Sequence, residues 1–272
     1  MRPIETPPEG SAISQKFGFR DGDRGAHSAR TMMLEDLERA LAAVPTGSKP
    51  EDFAAACIEA NALGKQTMAN RKNSLRNLVH LYALDGECPL FRILRRLWTE
   101  AAGRPLIAVL VALARDPLLR LSAPPILRLR AGDPADRDIY APVLERLSDR
   151  FTPASQKSIA QNFASTWTHA GHVRGVRRKF RATAKPTPHS AACAATIAYL
   201  VGLRGVGIME SSWMRVLDAP NSQIEPLLAA AARADLIEFK SSGQVIVIKP
   251  TGLLMPPEMA LADQLAHERS LS

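Results

Sequence analysis

Arginine and lysine are concentrated in one short segment, Arg174-Gly-Val-Arg-Arg-Lys-Phe-Arg181, in which five of eight residues are basic. Guanidinium and ammonium groups bind phosphate oxygens through charge-assisted hydrogen bonds. A cluster of them with no neighbouring carboxylate is typical of a surface that contacts a nucleic-acid backbone, and the affinity of such a surface falls steeply with salt. The segment therefore predicts a phosphate-binding wing or arm.

The same segment lies in a longer stretch without acidic residues. Residues 150–209 contain nine Lys and Arg and no Asp or Glu. The other 212 residues contain 26 basic and 27 acidic ones, so the net charge of +8 comes from this window. Concentrated positive charge indicates a nucleic-acid partner more strongly than the same charge spread over a surface.

A helix is predicted directly before the basic segment. Thr152 is a suitable N-cap, Pro153 suits the first helical position, and Gly171 suits the end of the helix. Ile159, Phe163 and Trp167 recur at helical spacing and are expected to pack inward. Because another helix is predicted at 139–149, the two form a helix-turn-helix followed by a short hairpin or arm.

Short polar side chains occupy the other faces of this second helix, and such groups reach base edges and phosphates from the major groove. Gln156 and Asn162 are of the type that pairs with adenine. The alternative is an ordinary solvated helix face. The DNA-binding residues predicted here are Lys157, Ser158, Gln161, Asn162, Arg174, Arg177, Arg178, Lys179, Arg181 and Lys185.

Two other passages have helix-turn-helix character. The first, at about 51–84, has four basic residues and no acidic one between Asn61 and Ala83, and a plain helical bundle explains it equally well. The second, at about 211–234, precedes a predicted hairpin of 236–240 and 245–249 around the turn 241–244, but its charge favours a structural or protein-contact role. The basic residues predicted to bind DNA in the first are Lys65, Arg71, Lys72 and Arg76.

These elements must come from a mainly α fold. Ala and Leu dominate the apolar residues and aromatic residues are 5% of the chain, which favours helix. We predict two helical domains with helix-turn-helix or winged-helix units and a small C-terminal β-hairpin wing, joined near Pro124-Pro125 and Gly132-Asp-Pro134. The predicted parts are a flexible N-terminal tail (1–28), a helix-turn-helix domain (29–130), one or more winged-helix domains (137–255) and a C-terminal helix (256–272).

Composition restricts the class of protein. The longest apolar run, 105–114, is about half the length that spans a bilayer, so we expect a buried helix and no membrane partner. Three scattered cysteines and the lack of a signal-peptide pattern favour the cytoplasm. No grouping of residues predicts a catalytic centre, a metal site or a cofactor, so we expect a protein that is not an enzyme.

The chain resembles the small A protein (BrxA) of BREX phage-defence systems in bacteria. The residues that carry the resemblance are Thr152-Pro-Ala-Ser-Gln-Lys-Ser-Ile159, Ser165-Thr-Trp-Thr-His-Ala-Gly171 and Ala234-Asp-Leu-Ile-Glu-Phe239, within a span of about 30–250. The chain is longer than expected for that family. The resemblance implies a helical, non-enzymatic protein that binds double-stranded DNA and works with other defence-system proteins.

The leading hypothesis is thus a DNA-binding protein with weak sequence specificity, which contacts mainly phosphates. One alternative is a scaffold whose winged helices contact proteins, with the basic segment facing an acidic partner. A sequence-specific transcriptional regulator is a second alternative and predicts a palindromic site. RNA is a third possible partner, although few aromatic side chains are available for stacking on bases.

Overall fold

The computed structural model describes residues 3–8, 10–22, 24–243 and 245–271, and most of these are helical. The predicted mainly α fold with a C-terminal hairpin is confirmed. The helices of the first half are α1 (Ala12–Phe17), α2 (Leu34–Ala43), α3 (Pro50–Ala54), α4 (Met68–Tyr82), α5 (Pro89–Leu97), α6 (Arg104–Arg115), α7 (Pro117–Arg120) and α8 (Ala123–Arg128).

The second half contains the remaining helices and two short antiparallel pairs of strands. The elements are α9 (Ala141–Glu145), α10 (Pro153–His169), β1 (Val173–Arg174), β2 (Phe180–Arg181), α11 (Pro188–Leu200), α12 (Val206–Met209), α13 (Ser212–Arg215), α14 (Asn221–Arg233), β3 (Glu238–Ser242), β4 (Val245–Lys249) and α15 (Pro256–Leu271). Single turns of 3-10 helix lie at Ala26–Ser28, Ala101–Gly103 and Arg137–Tyr140, and a π turn at Ala55–Glu59 continues α3.

Helices α6 and α11 form the centre of the fold. Every residue of α6 from Leu106 to Arg115 is buried, as is every residue of α11 from Ser190 to Leu200. Helices that are apolar on all sides must be enclosed by other elements. The two pack against each other, and α4, α5, α13 and α14 pack around them. The apolar run 105–114 is therefore a buried helix, as predicted.

The apolar core is continuous across the boundary drawn between the two predicted domains, because α6 comes from the first and α11 from the second. Pro124 and Pro125, predicted to lie in a connection between domains, instead occupy the first turn of α8. Proline is well suited to that position because the first backbone N–H groups of a helix have no partner within it.

The prediction of a flexible tail at 1–28 is wrong for the residues described there. Ile4, Phe17 and Phe19 are buried, and the indole Nε1 of Trp213 donates a 2.9 Å hydrogen bond to the carbonyl of Glu5. The segment lacks helical periodicity because most of it packs as irregular chain, with single apolar side chains buried one at a time. Met1, Arg2, Glu9 and Asp23 lie outside the described residues.

Several element boundaries differ from those predicted. The helix expected from Ala29 begins at Leu34, after Met33 adopts a positive φ of 50°. The helix expected over 139–149 is a 3-10 turn followed by the single turn of α9.

The chain from α8 to β2 is arranged as a winged helix, and we call it the first winged unit. Residues 132–135 run beside β2: Gly132 N donates to Arg181 O, Arg181 N to Asp133 O and Ala135 N to Lys179 O, each over 2.8 Å. β2 also pairs with β1, with Val173 opposite Arg181. The chain order of that motif is a helix, a strand-like segment, two further helices (here α9 and α10) and a β-ribbon.

The chain from α11 to β4 has a related order, with α12 in place of the strand-like segment, α13 and α14 as the helix pair and β3–β4 as the ribbon, and we call it the second winged unit. The strands pair from Glu238 with Lys249 to Ser242 with Val245. The turn is therefore shorter than the predicted 241–244; Gln244 lies outside the described residues. Helix α15 follows as predicted, up to Leu271, with Ser272 likewise not described.

Candidate nucleic-acid interface

Helix α10 is positioned by its N-cap and by its apolar face. The hydroxyl oxygen of Thr152 accepts a hydrogen bond from Ser155 N, and Pro153 occupies the first turn, as predicted. Ile159, Phe163 and Trp167 are fully buried, and the indole Nε1 of Trp167 donates to the hydroxyl of Ser122 over 2.8 Å. The helix is thereby fixed against α8 with its opposite face in solvent.

That solvent face carries fewer groups able to contact bases than the sequence predicts. Lys157, Ser158 and Gln161 are exposed. The amide Nδ2 of Asn162, however, donates to the carbonyl of His27 over 3.0 Å, and the amide Nε2 of Gln156 donates to Phe151 O over 3.2 Å. Asn162, predicted to bind DNA, is therefore engaged within the protein in this structure, because its amide group joins α10 to the N-terminal segment.

The loop between β1 and β2 projects from the end of α10. We call residues 174–178 the basic loop. Arg174, Arg177 and Arg178 are exposed, and none of their guanidinium groups has a hydrogen bond or ion pair with any described residue. Val176 is 93% exposed, the most exposed large apolar residue described. Three unpaired guanidinium groups within five residues can bind an extended anionic ligand.

Gly175 fixes the shape of the basic loop. Its φ is +104°, a conformation that residues with a side chain rarely adopt. A Cβ atom at this position would collide with the carbonyl oxygen of Arg178. The chain therefore folds back on itself within the loop, and Val176 and Arg177 lie in the turn between these two residues.

Lys179 lies next to the loop but faces the protein. Its Nζ donates to the hydroxyl of Thr168 over 2.8 Å and to Ala164 O over 3.3 Å, both on α10. Burial lowers the pKa of Lys179, and nearby Asp136 opposes that shift only in part. The side chain thus connects the ribbon to the helix, so Lys179 is not the free phosphate ligand that the sequence predicts.

Arg181 is also wrongly predicted to bind DNA. Its side chain is buried, and its Nη1 and Nη2 atoms donate to the two carboxylate oxygens of Asp218 over 2.9 and 2.6 Å. Nε donates to Ile126 O over 3.1 Å. Successive side chains of a strand point to opposite faces, so Phe180 is directed outward and Arg181 inward. Arg181 therefore links α8, β2 and the chain between α13 and α14.

The window without acidic residues is not free of them in space. Asp218 neutralises Arg181, and Asp263 pairs with Arg204 over 2.8 Å. Asp136 accepts a hydrogen bond from the backbone N of Lys179, at the end of the ribbon. Lys185 is exposed, as expected for a DNA ligand. The unpaired positive charge is thus concentrated on the basic loop, Lys157 and Lys185.

The second predicted basic helix, α4, is only partly available. Lys65 Nζ lies 2.7 Å from Asp36 Oδ1, and Arg71 donates to the carbonyls of Ile58 and Lys65, where it closes the π turn. Lys65 and Arg71, predicted to bind DNA, are therefore engaged within the protein in this structure. Lys72 and Arg76 are exposed, although the Arg76 guanidinium also donates to Asn73 Oδ1 over 2.7 Å.

A cleft of about 500 Å³ lies between α4 and the end of α10 and brings Asn70 near His169. Glu35 and Asp36 also line it, beside Arg30 and Lys65. The acidic and basic groups balance, so the cleft does not extend the positive surface from α10 to α4.

One group of three side chains is hydrogen-bonded in the same order as a catalytic triad, but it is not accessible to a substrate. His27 Nδ1 lies 2.8 Å from Asp116 Oδ2, and His27 Nε2 lies 2.9 Å from Thr166 Oγ1. All three side chains are fully buried, and Thr166 Oγ1 also accepts a hydrogen bond from Met32 N. No substrate can reach the hydroxyl, so the group joins the N-terminal segment to α7 and α10.

Sequence reasoning missed two features of the interface. Residues 132–135 are hydrogen-bonded to β2, whereas the sequence predicts a connection between domains there. A single extended turn has no periodic pattern that would reveal this pairing. Val176 was not singled out, because only its exposure distinguishes it from a core valine.

Comparison with models of known protein families gives no match. A search of curated proteins likewise finds none with significant similarity to this chain. Among the described residues, no helix combines the length and the apolar character needed to cross a membrane.

Proposed function

We propose that the protein binds double-stranded DNA through the first winged unit, mainly by phosphate contacts and without catalysing a reaction. The observation that carries the proposal is the basic loop, where Arg174, Arg177 and Arg178 are exposed and unpaired beside the exposed face of α10. The ribbon that carries these arginines is hydrogen-bonded to residues 132–135 and to α10. Its backbone therefore loses little conformational freedom when the arginines bind a ligand.

The two parts of the surface have complementary roles. Helix α10 presents Lys157 and Gln161 on its exposed face, which suits the major groove. Lys185 and the basic loop flank it and suit the phosphates on either side. Because the amides of Gln156 and Asn162 are engaged within the protein, few groups on α10 remain to distinguish bases. Weak sequence specificity follows from this shortage.

Partners other than DNA are part of the same proposal. The resemblance to the BREX small A protein favours action together with other defence-system proteins in the bacterial cytoplasm. The second winged unit is the surface that suits a protein, because Arg233 is the one basic residue among those described in α14 and Glu225 and Pro226 interrupt its outer face. The identity of the neighbouring genes tests this role: methyltransferase and ATPase genes beside this one would support defence, and metabolic genes would instead support a local regulator.

A fluorescence-anisotropy titration tests DNA binding. A labelled duplex of about 20 base pairs is titrated with the whole protein at about 50 and about 200 mM salt. Arg177→Gln and Arg178→Gln are each expected to weaken binding for all duplexes and to reduce the slope of log K against log salt by about one. Arg96→Gln, an exposed arginine on α5, is the matched control and leaves both unchanged.

Two results contradict the proposal. Undetectable binding at low salt, or an affinity that does not change with salt, would show that the protein makes no phosphate contacts. Tighter binding to single-stranded RNA than to duplex DNA assigns the surface to RNA instead.

A further inference from the structure

We propose that the basic loop inserts into the DNA minor groove and makes the protein prefer A·T-rich duplexes. This inference rests on the proposed function and adds to it the class of DNA that is bound. It concerns Arg177, Arg178 and Val176, whose positions at the outer end of the ribbon distinguish them from the other basic residues.

The shape of the loop fits a narrow groove. Gly175 and Arg178 approach so closely that no side chain fits at position 175, so the ribbon narrows at its end. The minor groove of B-DNA is about 6 Å wide, whereas an α-helix is about 10 Å across and a two-stranded ribbon fits the major groove. The parts of the loop that fit the minor groove are therefore single exposed side chains from its turn, those of Val176, Arg177 and Arg178.

The chemistry of the loop also fits. The minor groove of A·T tracts is narrow and has an enhanced negative potential that attracts inserted arginines. Val176 is 93% exposed. An apolar side chain at the tip of a basic loop has no favourable surroundings in water, and apolar side chains inserted in the minor groove are a recurring feature of proteins that bind there. G·C pairs place the guanine 2-amino group in the minor groove, where it obstructs the loop.

The rest of the surface offers fewer means of discrimination. On α10 the amides of Gln156 and Asn162 are occupied and the hydroxyl of Ser158 donates to Ala154 O over 3.2 Å, which leaves the exposed amide of Gln161. Arg181 and Lys179 are held by the protein. Any preference between base pairs therefore arises mainly from the basic loop.

Inosine provides the decisive measurement. An inosine·cytosine pair lacks the 2-amino group of guanine, so its minor groove resembles that of A·T while its major groove resembles that of G·C. The whole protein is titrated with three labelled duplexes of equal length that have A·T, G·C or inosine·cytosine centres. We expect the A·T and inosine duplexes to bind about tenfold more tightly than the G·C duplex.

The variant Arg177→Lys/Arg178→Lys separates groove insertion from charge. Lysine keeps the positive charge but loses the planar guanidinium group, so the salt slope should persist while the preference falls to about twofold or less. Arg96→Lys is the matched control and keeps the full preference. Val176→Ser, at a position where nothing is packed, should lower affinity for the A·T and inosine duplexes only.

The outcomes distinguish this inference from the proposed function. Equal affinity for all three duplexes, or inosine binding like G·C, overturns minor-groove insertion and leaves DNA binding intact. Retention of the preference by Arg177→Lys/Arg178→Lys also overturns it. Absence of binding to every duplex overturns the proposed function and this inference together.

Discussion

The guanidinium of Arg181 and the carboxylate of Asp218 form two parallel hydrogen bonds, of 2.9 and 2.6 Å, across 37 positions of sequence. This pair connects the ribbon of the first winged unit to the chain that enters α14 of the second. Since the Arg181 side chain is only 4% exposed, loss of its partner leaves a buried charge without compensation.

Asp218→Asn should therefore lower the free energy of unfolding by about 3 kcal/mol. Asparagine is the appropriate replacement because residue 218 has a φ of +60°, which asparagine tolerates. Urea unfolding followed by circular dichroism measures the effect. Asp263→Asn, in an ion pair whose carboxylate is 61% exposed, is the control and should cost less than about 1 kcal/mol. Equal losses in the two variants contradict the structural role of the buried pair.

Two neighbouring arginines should behave in opposite ways. Arg181→Gln should reduce stability strongly, because Asp218 loses its buried cationic partner and the carbonyls of Ile126 and His172 each lose one donor. Arg177→Gln should leave the urea midpoint unchanged and weaken DNA binding. Unfolding and anisotropy measured on both variants test this division, and a stable Arg181→Gln protein with impaired binding would restore Arg181 to the interface.

Asn162 and Gln161 form a similar contrast on α10. Asn162→Ala removes the hydrogen bond to His27 O and should cost about 1 kcal/mol of stability without altering DNA affinity beyond that. Gln161→Ala removes an exposed side chain and should leave stability within about 0.5 kcal/mol. A lower DNA affinity is expected only for Gln161→Ala, measured at one fixed low salt concentration.

Stability should fall in mild acid because of His172. Burial is the main cause that lowers the pKa of this histidine to about 4, below its ordinary 6.5. Between these values the unfolded chain takes up a proton that the folded chain excludes, so stability is complete above pH 6.5 and declines toward pH 4. Because of this group, the unfolding free energies obtained from urea titrations at pH 7 and pH 5 should differ by about 2 kcal/mol.

The control for this pH dependence is His172→Gln, which retains a donor toward Val216 O. Its stability should depend less on pH over the same interval. Some pH dependence should remain, because burial also lowers the pKa of His80. An unchanged pH dependence in the variant would mean that His172 is not excluded from protonation in the folded protein.

Removal of residues 1–28 should prevent stable folding. His27 lies between Asp116 and Thr166, and loss of its ring leaves a buried carboxylate without its main partner. Burial of Ile4, Phe17 and Phe19 is lost as well. Thermal unfolding of the truncated protein measures this, and a melting temperature equal to that of the whole protein would show that the segment is dispensable.

Local signals in the sequence were sufficient to predict the helices and strands, but not to predict which residues contact each other across the fold. The N-cap Thr152 and the C-terminal hairpin of β3 and β4 depend on neighbours a few residues away, and both were predicted. Whether a basic residue is exposed depends on residues far along the chain, as with Arg181 and Asp218. Charge counted along a sequence therefore overestimates the unpaired charge on the folded surface.

The irregular parts were hardest to predict for the same reason. Residues 132–135 and the N-terminal segment carry no repeating pattern, and the tertiary contacts that hold them are single side chains and single hydrogen bonds. The basic loop was predicted by composition, but its narrow end required the backbone.

Gly175 has a consequence for how this sequence can diverge. The guanidinium groups of the arginines around it are exposed and form no hydrogen bond or ion pair with any described residue, so many substitutions there leave the fold unchanged. Any side chain at 175 must reshape the loop, because it meets the carbonyl of Arg178 and demands a strained φ. In sequences that descend from this one, the arginines can therefore be exchanged one by one, whereas Gly175 must be retained for the loop to keep its shape.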